Sequence, residues 1–201
     1  MEYNIFGVFP KPVGMFRLDK AVTAAERKFI LDQPRTQNEY NTTSVENYLL
    51  KNKKLSRLKT FFDECVQTFL ETIYAPAQDV SLRITQCWAN YSEKGQAHHP
   101  HAHPNSLVSG VFYVQTDKAT DKIYFIRSGY EQIQLPPKLY NQWNSESWWF
   151  EAEENTLILF PSGLSHRVDP VVVDQTRVSL SFNTFPIGIL GEKRSLTECI
   201  L

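Results

Sequence analysis

Between residues 80 and 185 the chain breaks into seven short apolar segments separated by turn-forming residues, a spacing that narrows the possible architectures more than any other feature. The candidate strands are 81–91, 107–115, 122–126, 147–151, 156–160, 165–172 and 177–184. Strands of that length and spacing close into a sandwich or barrel. The first third reads differently. Thr23-Ala24-Ala25-Glu26 has capping-box spacing, which predicts a helix to about Gln33, stopped before Pro34. Leu55, Leu58, Phe62, Cys65, Val66, Phe69, Leu70 and Ile73 recur at helical intervals and predict a helix over 55–74 that packs on a sheet. The apolar run 5–9, ended by Pro10 and Pro12, predicts a first strand; the polar stretch 34–54 predicts a solvated loop or short helix. The expected fold is mainly β with α (α+β), its helices buttressing one sheet. It is expected as one domain over 1–201: a helical part over about 1–78, a β core over about 79–186 and a tail over 187–201.

Charge and cysteine usage exclude several function classes. Lys and Arg number 21 against 22 acidic residues, so there is no basic surplus to hold a nucleic acid. No apolar run approaches the roughly 20 residues needed to span a bilayer. The start, Met1-Glu2-Tyr3-Asn4, lacks the basic end and apolar core of a signal peptide. Cys65, Cys87 and Cys199 are widely spaced and form no CxxC pair, as in a reducing compartment. A cytoplasmic protein with no membrane partner is expected. Nothing in the sequence specifies an oligomeric state.

Four of the five histidines lie in His98-His99-Pro100-His101-Ala102-His103-Pro104, and the fifth is His166. On a strand, His101 and His103 would point to one face. A strand returning alongside would bring His166 to them and close a three-nitrogen metal site. Gly95-x5-His101-x-His103 and Pro161-x-Gly163-x2-His166 look like the two halves of the metal motif of cupin-type double-stranded β-helix barrels. Gly95 permits a tight turn, and Pro161 with Gly163 shapes the turn before the third ligand. Neutral imidazole suits Fe, Zn, Cu and Ni, so the ligands alone do not choose the metal. His98 and His99 are expected at the mouth of the site or solvated. Eleven residues after His166 stands Arg177-Val178-Ser179. With a turn at Asp174-Gln175, the two strands are expected to form a hairpin, with Arg177 and Ser179 on one face. A guanidinium and a hydroxyl so placed suit a carboxylate.

His…His-x10-Arg-x-Ser in a β-rich chain resembles the Fe(II)/2-oxoglutarate-dependent oxygenases. Trp88-x-Asn90, His101-x-His103-Pro104-Asn105-Ser106, Ser109-Gly110-Val111-Phe112-Tyr113-Val114, Phe160-Pro161-x4-His166 and Arg177-x-Ser179-x-Ser181-Phe182-Asn183 resemble, more closely, a phage and bacterial family of such oxygenases, prolyl-hydroxylase-like, over nearly the whole chain. The resemblance implies a double-stranded β-helix, or jelly roll. It implies oxidative decarboxylation of the cosubstrate 2-oxoglutarate to succinate with O2, coupled to hydrogen abstraction from a substrate C–H. It makes His101 and His166 Fe(II) ligands and has Arg177, with Ser179, hold the far carboxylate of 2-oxoglutarate. Asn90 and Tyr113 are expected to contact the same cosubstrate.

The sequence departs from the usual ligand set of two histidines and a carboxylate. His103 stands in the carboxylate's place, and no acidic residue lies between Glu93 and Asp117. Three histidines also fit catalytic zinc. Asn105, through its amide oxygen, is the fallback ligand. The expected function is a dioxygenase hydroxylating an unidentified peptide, amino acid or base. The alternatives are a cupin-like metalloenzyme without 2-oxoglutarate and a non-catalytic β-barrel binding module. The long segment 127–144 reads as a lid. Tyr140 and Trp143 are expected at a substrate wall, Trp148 and Trp149 in core or edge packing.

Overall fold

Alternation of side chains along four central strands decides how the layers stack. The computed structural model describes residues 1–129, 133 and 135–201. Its elements run β1 (Gly14–Arg17), α1 (Ala24–Leu31), β2 (Arg35–Gln37), β3 (Thr42–Ser44), α2 (Ser56–Phe69), β4 (Val80–Ser92), β5 (His98–His101), β6 (Val108–Gln115), β7 (Lys122–Ile126), β8 (Ser147–Glu151), β9 (Thr156–Pro161), β10 (His166–Val168), β11 (Arg177–Leu190) and β12 (Cys199–Ile200). All strand pairings between them are antiparallel. The larger sheet has the order β1-β9-β6-β11-β4-β3-β2, with β12 paired to the end of β11; the smaller has the order β5-β10-β7-β8. This is the mainly β double-stranded β-helix with N-terminal helices that the sequence predicts.

One face of the larger sheet packs on α2. Ala89 and Tyr91 of β4, Phe112 and Val114 of β6, Leu157 and Leu159 of β9, and Val178, Leu180 and Phe182 of β11 form one cluster with Leu58, Phe62, Cys65, Val66 and Phe69. The residues between them turn the other way. Val111, Tyr113, Ile158 and Phe160 meet Ile123 and Phe125 of the smaller sheet in a second cluster. Burial on both faces explains why β6 and β9 read as continuous apolar runs rather than alternating ones. The ring of Phe62 ties the helix to the sheet, with its centroid 5.2 Å from Phe112 and 5.2 Å from Phe182.

The capping box forms as its spacing predicts. Glu26 N donates to Thr23 Oγ1 at 3.2 Å, and Thr23 N donates to Glu26 Oε2 at 2.8 Å. The buried Glu26 carboxylate also takes Arg57 Nε at 3.0 Å and Nη2 at 2.6 Å, pinning α1 to α2. Burial alone would raise its pKa, but the bonds from Arg57 and Thr23 outweigh burial and hold it below 4.5.

Four expectations are corrected. The run 5–9 forms no strand: Ile5, Phe6, Val8 and Phe9 are exposed, Phe9 has φ 58°, and two prolines remove donors, so pairing begins at Gly14. The stretch 34–54 holds the β2–β3 hairpin, which extends the larger sheet through Thr42 and Thr43 against β4, and two short 3-10 turns. The helix over 55–74 is regular only to Phe69 and then widens into a π turn, which leaves Ile73 44% exposed. The hairpin expected after His166 does not form: β10 pairs β5 and β7, whereas β11 pairs β4 and β6 in the opposite sheet. Residues 130–132 and 134 of the expected lid lie outside the described residues.

Phe62→Ala is expected to lower stability by about 3–5 kcal/mol in urea unfolding, through the cavity left between Phe112 and Phe182. Glu26→Gln is expected to cost about 1–2 kcal/mol at pH 7. A depressed folded pKa means that the carboxylate's contribution is present above 4.5 and lost as pH falls through the lower folded value. The gap between the two proteins should therefore narrow in melts run at progressively lower pH below 4.5.

Candidate metal and cosubstrate site

The antiparallel register of β5 with β10 sets His101 opposite His166. His103, expected on the strand with His101, instead lies just beyond the end of β5 and is delivered by a turn. That turn is anchored: His103 N donates to Ser162 O at 2.9 Å. Ser162 Oγ meets Ser106 Oγ at 2.7 Å and Ser109 Oγ at 2.8 Å. These hydroxyls join the His103 turn to the 161–163 turn that leads to His166. Gly95, with φ 83°, occupies the left-handed turn position its sequence context predicts. Gly163 does not need its freedom, since a Cβ there would meet nothing within 4 Å. Asn105, the fallback ligand, is an exposed left-handed turn residue with φ 54° and does not line the cavity.

One ligating nitrogen from each of His101, His103 and His166 lies within 4.8 Å of the others. His101 Nδ1 is 2.8 Å from His99 O, and His166 Nδ1 is 3.1 Å from Leu164 O. A carbonyl only accepts, so both Nδ1 atoms carry the proton and both Nε2 atoms are left as lone pairs. His103 Nε2 is 3.4 Å from His166 Nε2. Two nitrogens at right angles about 2.1 Å from one ion would be about 3.0 Å apart. Burial, reinforced by the neighbouring imidazoles, pushes His166 down to about 3 and His103 down to about 4. His101 is lowered as well, again chiefly by burial. The rings are thus neutral at pH 7, the form a metal takes.

His98 is not solvated. It lines the same cavity, its ring stacked 4.5 Å from His101, and burial lowers it to about 3. His99 sits outside, 3.4 Å from Glu39.

Across the cavity stand Arg177, Ser179 and Ser181 of β11, Asn90 and Trp88 of β4, and Tyr113 of β6. All three strands turn the required face inward because their intervening residues pack on α2. Arg177 and Ser179 share a face as the sequence predicts. Arg177 Nη1 donates to Asp121 Oδ1 at 2.8 Å and to Asp169 O at 3.1 Å. Its Nη2, the Tyr113 hydroxyl and Asn90 Oδ1 are buried without a hydrogen-bond partner. Burial raises the Tyr113 phenol well above its usual range, so it stays a donor.

Asp121 was invisible to sequence reasoning. It stands just before β7 with no motif around it, and only the crossing of sheets brings it to Arg177. The expected substrate wall is not there: Tyr140 and Trp143 are exposed and do not line the cavity, and Trp143 instead packs against Gly7. Trp148 and Trp149 are exposed on β8, at the edge of the smaller sheet, and do not reach the core.

A double-stranded β-helix with three histidines facing a buried arginine is the arrangement of a metal site set beside an anion site. Comparisons with known proteins agree. Residues 86–183, which hold every cavity residue except Asn41, match the family model described as "Putative 2OG-Fe(II) oxygenase". That stretch, about half of the chain, is a match to a family of enzymes whose typical cofactors are Fe(II) and 2-oxoglutarate. Its fold resembles a 2OG-Fe(II) oxygenase-family oxidoreductase from Burkholderia pseudomallei, with TM-score 0.58, 14% identity, and coverage of 86% of this chain and 84% of that one. It also resembles a Pseudomonas putida prolyl-4-hydroxylase, with TM-score 0.55, 13% identity, and coverage of 86% and 92%. HygX from Streptomyces hygroscopicus, solved with nickel, 2-oxoglutarate and hygromycin B bound, has TM-score 0.57, 11% identity, and coverage of 86% of this chain and 83% of that one. None of the curated proteins matches in sequence. No helix among the described residues is long and apolar enough to cross a membrane.

Ser162→Ala is expected to cost about 1–3 kcal/mol in chemical unfolding, because Ser106 and Ser109 lose a buried partner.

Proposed function

We propose that the chain is an Fe(II)- and 2-oxoglutarate-dependent dioxygenase that hydroxylates its substrate. His101, His103 and His166 are its metal ligands; Arg177, with Ser179, Tyr113 and Asn90, binds the cosubstrate. One observation carries this reading: a single cavity holds three imidazoles on one side and, on the other, a guanidinium edge and a phenol that the protein leaves without partners. Buried donors are rarely unpaired, and each costs about 1–3 kcal/mol when they are. A carboxylate accepts from both at once. Asn90 Nδ2 donates to Ser181 Oγ at 2.9 Å. With its amide turned over, Asn90 would accept from Ser181 and offer its own N–H to the same carboxylate.

When bound, Fe(II) and 2-oxoglutarate supply O2 activation, with the cosubstrate decarboxylated to succinate. The chain's own residues do the rest. His99 O and Leu164 O hold two ligand rings in the tautomer that presents Nε2 inward. Arg177 Nη2 and Tyr113 Oη orient the far carboxylate. Val111, Ile123, Phe160 and Val168 line the cavity with apolar surface and limit water there. Trp88, Asn41 and Ser92 also line the cavity and are the residues we assign to a substrate. We read the chain as one working domain. Its free cysteines, two of them buried, support a reducing compartment such as the cytoplasm.

Anaerobic addition of 2-oxoglutarate to the Fe(II)-loaded protein should produce a weak visible charge-transfer band, absent in His166→Ala. Arg177→Ala should weaken 2-oxoglutarate by about 30-fold or more, since removing one partner of a buried charged pair costs about 2–5 kcal/mol. Tight metal binding that ignores both 2-oxoglutarate and Arg177→Ala would instead favour a metalloenzyme that does not use the diacid.

A further inference from the structure

The ligand set leaves a charge uncompensated. In the common set one carboxylate offsets part of the metal's charge; three neutral imidazoles offset none. A divalent ion and the Arg177 guanidinium together bring three positive charges into one buried space, and 2-oxoglutarate brings two negative ones. Buried charges left unmatched are costly. Among the described residues that line the cavity, Arg177 is the only Lys, Arg, Asp or Glu. The carboxylates nearby are otherwise engaged: Asp169 pairs with Arg167 and is partly exposed, and Glu39 is more than half exposed beside His99. Asp121 is different. It is 3% exposed and stands behind Arg177, with Oδ1 on Arg177 Nη1 at 2.8 Å and Oδ2 accepting Asp117 N at 3.0 Å.

We infer that Asp121 is the countercharge of this site: it supplies the negative charge that the three-histidine set lacks and, by holding Arg177 Nη1, leaves Nη2 facing the cosubstrate carboxylate. This rests on the reading above that Arg177 grips 2-oxoglutarate. Asp121 touches neither the metal set nor the cavity, so it acts through Arg177 as a positioning residue. The inference makes positions 103 and 121 interdependent although they share no contact. A carboxylate restored at 103 gives the loaded site one negative charge too many, and removal of the charge at 121 restores the balance.

The test is a double-mutant cycle read by calorimetric 2-oxoglutarate affinity on anaerobic Fe(II)-loaded protein, with metal content measured in every variant. His103→Asp should weaken the diacid about tenfold or more. Adding Asp121→Asn should recover about tenfold of that loss, whereas adding Asp121→Glu, which keeps the charge, should recover none. Asp121→Ser makes the same charge change should the Asn variant not fold. Effects at 103 and 121 that simply multiply, within about twofold, overturn the inference. Arg177→Ala separates the two levels. If it abolishes diacid binding while the cycle shows no coupling, only the role of Asp121 falls. If it leaves diacid binding unmoved, the clamp reading falls and the inference with it.

Discussion

The pairing of β5 with β10, which sets His101 across from His166, is the contact on which the proposed chemistry depends. Strand register has a period of two, so a slip of one residue would send His166 to the opposite face. The register is secured at both sides. β7 pairs the other edge of β10, and the hydroxyls of Ser106, Ser109 and Ser162 lock together the two turns that flank the histidines. Two distant parts of the chain therefore reach one point as a consequence of backbone hydrogen bonding, before any ion is considered.

The larger sheet supplies the opposite wall by a different rule. Its strands are committed to α2 on one face, and that commitment fixes what the other face presents. Val178, Leu180 and Phe182 are held in the helix-side core, so Arg177, Ser179 and Ser181 must look into the roll. The same logic turns Asn90 inward from β4 between Ala89 and Tyr91. Burying a guanidinium there requires an anion, and Asp121 provides one for Nη1 while Nη2 remains for a ligand. Core packing and the proposed cosubstrate wall are thus two faces of one alternating pattern.

That pattern explains what the sequence disclosed. The seven strand segments were legible because turn residues bound each apolar run, and β7 and β8 fall at the very residues expected. The stripe from Leu58 to Phe69 was legible from its helical period. The three histidines and Arg177 were legible because their spacing is local within each half of the motif. What was not legible depends on which sheet a strand joins. The connection from His166 to Arg177 reads as a hairpin turn, yet it crosses between sheets, since each strand finds better partners elsewhere. Asp121 was missed for the same reason. Tyr140 and Trp143 were misplaced because aromatic content alone does not distinguish a cavity wall from an exposed surface.

The most direct measurement is a crystal structure of the protein grown anaerobically with Fe(II) and 2-oxoglutarate. The account predicts one ion about 2.1 Å from a nitrogen of each of His101, His103 and His166, with the far carboxylate of the diacid on Arg177 Nη2 and the Tyr113 hydroxyl. An ion held by other residues, or a diacid whose far carboxylate lies away from Arg177, would contradict it.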